Sequence, residues 1–137
     1  DMPLAAVQRR VAPEALRDVV SSRDLPALQA LAQLRSVLEQ ETWGVSGSAG
    51  FELATGIEAL HARSDLDLIL RTPKRLERAD AEDLLAILDA TVCPVDLQLQ
   101  TPFGAVALRE WAGGSRRVLL KTASGAQLVL DPWQAVA

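Results

Sequence analysis

The chain has one cysteine, Cys93, and one histidine, His61, in 137 residues. A lone thiol cannot close an internal disulfide, and no second thiol stands at CxxC or zinc-ligand spacing, which excludes a disulfide framework and a zinc ribbon. A reducing, cytoplasmic setting is the expectation. No apolar run approaches the roughly eighteen residues that a membrane span needs, so no membrane partner is expected. Positive charge is also scarce. Lys and Arg number 14 against 18 Asp and Glu, for a net charge of -4 and a pI near 4.9. A broad basic surface able to release counterions from a nucleic acid is therefore missing, and nucleic acid is not an expected partner. The opening DMPLAAVQRR lacks an apolar core followed by a small-residue cleavage site, which predicts no secretory signal. The sequence does not begin with Met, which fits a start inside a longer chain. Repeats, low-complexity tracts and Gly/Ser-rich linkers are absent too. We read residues 1–22 as the remnant of an N-terminal region and 23–137 as one domain of ordinary size.

The sequence does contain helix and strand patterns in alternation. DLPALQALAQLRSVLEQ, from Asp24, offers a cap-capable Asp, a Pro in the first turn and leucines at 28, 31, 34 and 38, the spacing of an amphipathic helix. DAEDLLAILDAT, residues 80–91, starts acidic and places apolar groups at 84, 85, 87 and 88, which predicts a second helix. TWGVS is a short β-prone run that ends at Gly47, and GFELATG reads as helical turns that stop at Gly56. DLDLILR (65–71) and PVDLQLQ (94–100) alternate as strands do. AVALREWA, 105–112, is open between strand and helix. RRVLLKT and AQLVL flank a Ser-Gly turn and predict a closing hairpin. PLAAVQRR is too brief to separate a short strand from an extended arm. Strands interleaved with helices predict a small α/β (α+β) domain.

Three carboxylates interrupt these strands. Successive strand side chains point to opposite faces, so Asp65 and Asp67 share a face while Leu66, Leu68 and Leu70 take the other. Two carboxylates roughly 6–7 Å apart along a strand repel, and a neighbouring core raises the cost unless a cation shares them. Magnesium is the expected ion, because it takes a few carboxylate oxygens and leaves other positions to water and substrate phosphate. Asp96 breaks the alternation of PVDLQLQ in the same way, and becomes a third ligand if that strand lies beside 65–71. The turn at Gly47-Ser48 supplies the complement: Gly47 permits a backbone conformation closed to bulkier residues, and Ser48 at a helix start adds a hydroxyl to free backbone N–H groups that can hold a phosphate. Metal-holding carboxylates opposite a phosphate-holding turn suit phosphoryl or nucleotidyl transfer.

A Gly-Ser turn after a strand, DLDL on the next strand and a lone Asp on a third resemble the polymerase β-like nucleotidyltransferase superfamily. More narrowly, GSAGFELATG followed by LHARSDLDLIL is similar to the phosphoribosyl-dephospho-CoA transferase of malonate decarboxylase, its holo-acyl-carrier-protein synthase. The likeness is closest over Trp43–Leu70, and DLQLQTPFGAVALREWA, LLKT and DPW extend it. It implies a small mixed sheet flanked by helices, with 23–137 as the nucleotidyltransferase domain. It further implies that Asp65, Asp67 and Asp96 hold two magnesium ions, that Asp96 helps activate the attacking hydroxyl, and that Gly47 and Ser48 bind phosphate. The implied reaction attaches 2'-(5''-triphosphoribosyl)-3'-dephospho-CoA to a serine of the acyl-carrier subunit of malonate decarboxylase and releases pyrophosphate. Two alternatives share the scaffold: a nucleotidyltransferase using ATP on a protein or small-molecule hydroxyl, and a non-catalytic module that binds a carrier protein.

Other polar residues have plainer readings beside functional ones. Ser64 either caps the entry to the strand or donates to a phosphate. Lys121 is the nearest basic residue for a triphosphate, with Arg116 and Arg117 behind it. His61 is read as a loop residue, since metal-activated attack needs no histidine base. Glu52 and Thr55 are read as stabilising a helix start. Cys93 is read as a small buried hydrophobe, and Trp43, Trp111 and Trp133 as core or interface residues. Asp80, Glu82 and Asp83 favour a helix dipole.

Overall fold

Apolar side chains at positions 27, 30, 31 and 34 fall one helical turn apart, and in the computed structural model they form the buried stripe of α1, Pro26–Val37. The structure describes residues 13–134, so the stretch PLAAVQRR lies outside the described residues. Pro26 occupies the first turn of α1, where its missing N–H costs nothing. Asp24 does not cap this helix. The cap position is Leu25, with no side-chain hydrogen bond, and Asp24 instead accepts a bond from the Gln29 amide at 2.6 Å.

Among the described residues six strands follow in one sheet whose spatial order equals the chain order: β1 Trp43–Ser46, β2 Leu66–Arg71, β3 Val95–Thr101, β4 Gly104–Ala107, β5 Val118–Thr122 and β6 Gly125–Val129. Only β2 and β3 run parallel; every other neighbouring pair is antiparallel. Parallel neighbours need a crossover, and α3, Arg78–Asp89, supplies it. Helix α2, Gly47–Thr55, leaves β1 without a loop and stops at Gly56, whose φ of 75° closes the helix in the left-handed region. The open stretch 105–112 resolves into both structures, ending β4 at Ala107 and starting the short α4, Leu108–Ala112, at the next residue.

Period-two alternation decides which side chains enter the core. Leu66, Leu68 and Leu70 pack with Val95, Leu97 and Leu99, with Trp43, Val45, Val106, Val118 and Leu120, and with the inward residues of all four helices. Each fully buried leucine of this kind contributes about 1.5–3 kcal/mol, which sets the register of β2 and β3 firmly. Leu16, ahead of α1, joins the same cluster. Trp111 is fully buried, donates its indole N–H to the Leu76 carbonyl, and meets Trp133 edge-on at 5.3 Å. Trp133 in turn donates to the Thr72 carbonyl just beyond β2 at 2.8 Å. No helix among the described residues is long and apolar enough to cross a membrane.

Candidate active site

The leucines of β2 and β3 commit one face of the sheet to the core and so turn the intervening polar residues to the other. Because β2 and β3 are parallel and in register, Asp67 stands directly opposite Asp96, and Ser46 of β1 stands opposite Asp67. Ser46, Asp67 and Asp96 therefore form one row across three strands. Asp65 immediately precedes β2, which begins one residue later than the alternation predicts.

Gly47 brings the start of α2 against this row. Its φ is +61°, and a Cβ added there would fall 2.1 Å from Oδ2 of Asp67. Any larger residue would both strain the backbone and collide with the carboxylate. Ser46 caps α2 without a side-chain hydrogen bond, and Gly47 and Ser48 are exposed, so the first N–H groups of the helix open beside the acidic row. The turn and the carboxylates, 20 residues apart in the sequence from Gly47 to Asp67, meet in space.

Asp67 is half-buried, and its pKa is raised above the ordinary aspartate value by desolvation first, then by the charges of Asp96 and Asp65. Asp65 and Asp96 are exposed. None of the three forms an ion pair among the described residues. An all-oxygen donor set with uncompensated negative charge suits a hard divalent cation in its chemistry. As the side chains stand, no three acidic, His or Cys groups among the described residues form a ready metal-holding cluster.

Ser64 and His61 close a turn just ahead of Asp65. The Ser64 hydroxyl oxygen accepts the His61 backbone N–H at 2.9 Å, and Nδ1 of His61 accepts the Arg63 N–H at 3.1 Å. Lys121 is exposed on β5, two strands from Asp96, and its Nζ donates to Oε1 of Gln98 at 2.9 Å. Nε2 of Gln98 then donates to Oδ1 of Asp96 at 3.1 Å. Gln98 is a site neighbour that the sequence reading passed over, although its place two residues after Asp96 on an alternating strand puts both on one face. Arg109 was also missed. It forks onto Asp89 at 2.5 and 3.1 Å and lies near enough to Asp96 to feel its charge. Arg116 and Arg117 are exposed ahead of β5.

Glu52 differs from the expected helix-start role. It lies in the second half of α2, where Oε1 accepts the Ala59 and Leu60 backbone N–H groups at 2.8 and 2.9 Å and the Arg23 guanidinium at 2.6 Å. These bonds hold its pKa below the ordinary glutamate value, the Leu60 N–H most strongly. Its other oxygen, Oε2, is buried without a partner among the described residues. Glu52 thus clamps the loop that leads into Ser64 and β2. Thr55 bonds back to the Phe51 carbonyl at the end of α2 rather than at its start. Cys93 is half-buried, with its thiol pKa pushed up by desolvation.

No solved structure matches the chain. Residues 15–132 match the family described as phosphoribosyl-dephospho-CoA transferase MdcG C-terminal domain. A phosphoribosyl-dephospho-CoA transferase of Pseudomonas fluorescens (strain Pf0-1) is 62% identical over 134 residues, 96% of this chain and 65% of the relative. That of Pseudomonas syringae pv. tomato is 60% identical over 136 residues, 96% of this chain and 64% of the relative. One from Azotobacter vinelandii is 52% identical over 143 residues, 99% of this chain and 68% of the relative. The chain thus spans about two thirds of the length of these curated relatives. With an acidic row, a glycine turn against it, and a match over nearly all the described residues, the chain belongs to the phosphoribosyl-dephospho-CoA transferase family, in its MdcG C-terminal domain.

Proposed function

We propose that this chain is the catalytic part of a phosphoribosyl-dephospho-CoA transferase on a polymerase β-like nucleotidyltransferase fold. The substrate is 2'-(5''-triphosphoribosyl)-3'-dephospho-CoA, and the acceptor is a serine of the acyl-carrier subunit of malonate decarboxylase. The single observation that supports this reading most is the contact of Gly47 with the Asp67 carboxylate, beside Asp96 in register. It puts the open end of a helix, suited to phosphate, next to uncompensated carboxylates, suited to a cation.

In this reading the N–H groups at Gly47 and Ser48 bind the triphosphate, and Ser64 is the further polar group on the approach to it. Asp96 accepts the hydrogen bond of the attacking serine hydroxyl and orients it. The serine oxygen forms a bond to the α-phosphorus, the bond from that phosphorus to the bridging oxygen breaks with its electron pair, and pyrophosphate leaves. The serine proton passes to a carboxylate oxygen of Asp96. Two magnesium ions held by Asp65, Asp67 and Asp96 would neutralise charge on the phosphates and lower the pKa of the hydroxyl.

The test is to incubate the protein with magnesium, the triphosphoribosyl precursor and apo carrier subunit, and then to weigh the carrier. A mass gain equal to the prosthetic group, with pyrophosphate released in equal amount, is expected. Transfer from ATP, with none from the dephospho-CoA derivative, would overturn the substrate assignment.

A further inference from the structure

Asp96 differs from its two acidic neighbours because a neutral side chain holds it. Strand β4 separates β3 from β5, and its residues on this face are Ala105 and Ala107, paired with Gln100 and Gln98. Adjacent strands lie about 4.8 Å apart, so β3 and β5 are about 9–10 Å apart at the backbone. The small alanine side chains let Lys121 extend across β4. Its ammonium reaches Oε1 of Gln98, and the amide nitrogen of Gln98 reaches Oδ1 of Asp96.

Hydrogen-bonding capacity fixes the direction of this chain. An ammonium donates only, and an ionised carboxylate accepts only. A primary amide can accept from the first while donating to the second. Lys121 thereby dictates which end of the Gln98 amide faces Asp96. With Oδ1 engaged, the Asp96 carboxylate is held in one rotation and Oδ2 remains for another partner. A direct Lys–Asp ion pair would have cancelled the charge that a cation needs. The amide instead orients the carboxylate and leaves its charge in place.

We infer that Gln98 is a positioning residue for Asp96 and that Lys121 acts through Gln98 rather than on the substrate phosphates. The inference rests on the metal-dependent reading above and deepens it. Groups that hold a metal's direct ligands typically change metal affinity about 10–100-fold when removed.

Manganese, titrated into the protein in place of magnesium and followed by its electron paramagnetic resonance signal, gives a readout independent of turnover. Gln98→Met and Lys121→Met should each weaken manganese binding, by about tenfold for Gln98→Met and less for Lys121→Met. The double variant should bind no worse than Gln98→Met alone, because the hydrogen-bonded path from Lys121 to Asp96 runs through the amide. Unchanged melting temperatures would show that the variants remain folded, and both positions lie on the solvent side of the sheet. Asp67→Asn serves as the reference. If it abolishes manganese binding while Gln98→Met leaves binding as in the wild type, the positioning role is wrong and the metal site stands. If Asp67→Asn also leaves binding unchanged, the metal reading fails and this inference with it. If Lys121→Met raises KM for the triphosphate without changing manganese affinity, Lys121 touches the phosphates directly and the inference is overturned.

Discussion

Helix α2 brings two carboxylates into contrasting circumstances. Toward its C-terminal half, Glu52 is buried and met by a guanidinium and two backbone N–H groups, and its pKa is lowered. At its N-terminal end, Asp67 presses on Gly47 with two other carboxylates for company, and its pKa is raised. Among the described residues, Glu52 has partners for its negative charge and Asp67 has no ion-pair partner. Glu52 is a structural charge that ties Arg23 and the loop at 59–60 to the helix. Asp67 carries an electrostatic cost from burial and like charge, which the proposed cation would relieve.

The largest effect expected is on transfer. Asp67→Asn should lower turnover roughly a thousandfold, the equivalent of about 4 kcal/mol of lost charge stabilisation, while thermal unfolding shows a fold as stable as the wild type or more so. A less stable variant would make Asp67 a structural residue like Glu52 and dissolve the contrast. Gly47→Ala should come next. Its left-handed φ costs a non-glycine residue about 1–2 kcal/mol, and the new methyl displaces Asp67, so denaturant melts and transfer assays should both fall. Glu52→Gln should destabilise by about 1–3 kcal/mol and raise amide exchange over residues 57–64, with activity changing only as the loop loosens.

Acid titration of stability separates the two carboxylates by sign. A lowered pKa means that Glu52 stabilises the fold above its unfolded-state pKa, and that this support is lost as pH falls through the lower folded value. Glu52→Gln should therefore flatten the acid limb of the stability curve. A raised pKa means the reverse for Asp67: its charged form is a burden at neutral pH, and the burden fades as pH falls through the folded value. Any stability gained in Asp67→Asn should thus be present at neutral pH and vanish in acid. The smallest effect belongs to Asp24→Ala, within about 0.5 kcal/mol by urea melt, because Asp24 does not cap α1.

How much of this was legible depends on the distance over which each residue finds its partner. Strands β2 and β3 were readable because their alternation is local, and the same alternation puts Asp67 and Asp96 on faces that pair once the strands are neighbours. The turn at Gly47 was readable as a turn, but not as a contact with Asp67. Glu52 looked like a helix-start residue because Arg23 lies 29 positions away and nothing local announces the pairing. Gln98 was passed over because its importance comes from Lys121, reached across a strand whose alanines look unremarkable in the sequence. The stretch 105–112 was undecidable because it contains a strand and a helix back to back, each too short for its own period to show.

The meeting of Trp111 with Trp133 has an optical consequence. Trp133 sits in the turn Asp131–Gln134, hydrogen-bonded to the residue that follows the acidic strand, with its ring edge-on to Trp111. Two indoles at 5.3 Å should couple their strong transitions, so far-ultraviolet circular dichroism should carry a couplet from this pair that neither ring gives alone. Loosening of the turn would silence that signature while the rest of the sheet stays folded. The protein thus carries its own spectroscopic gauge of whether its 131–134 segment is latched to the strand that bears Asp67.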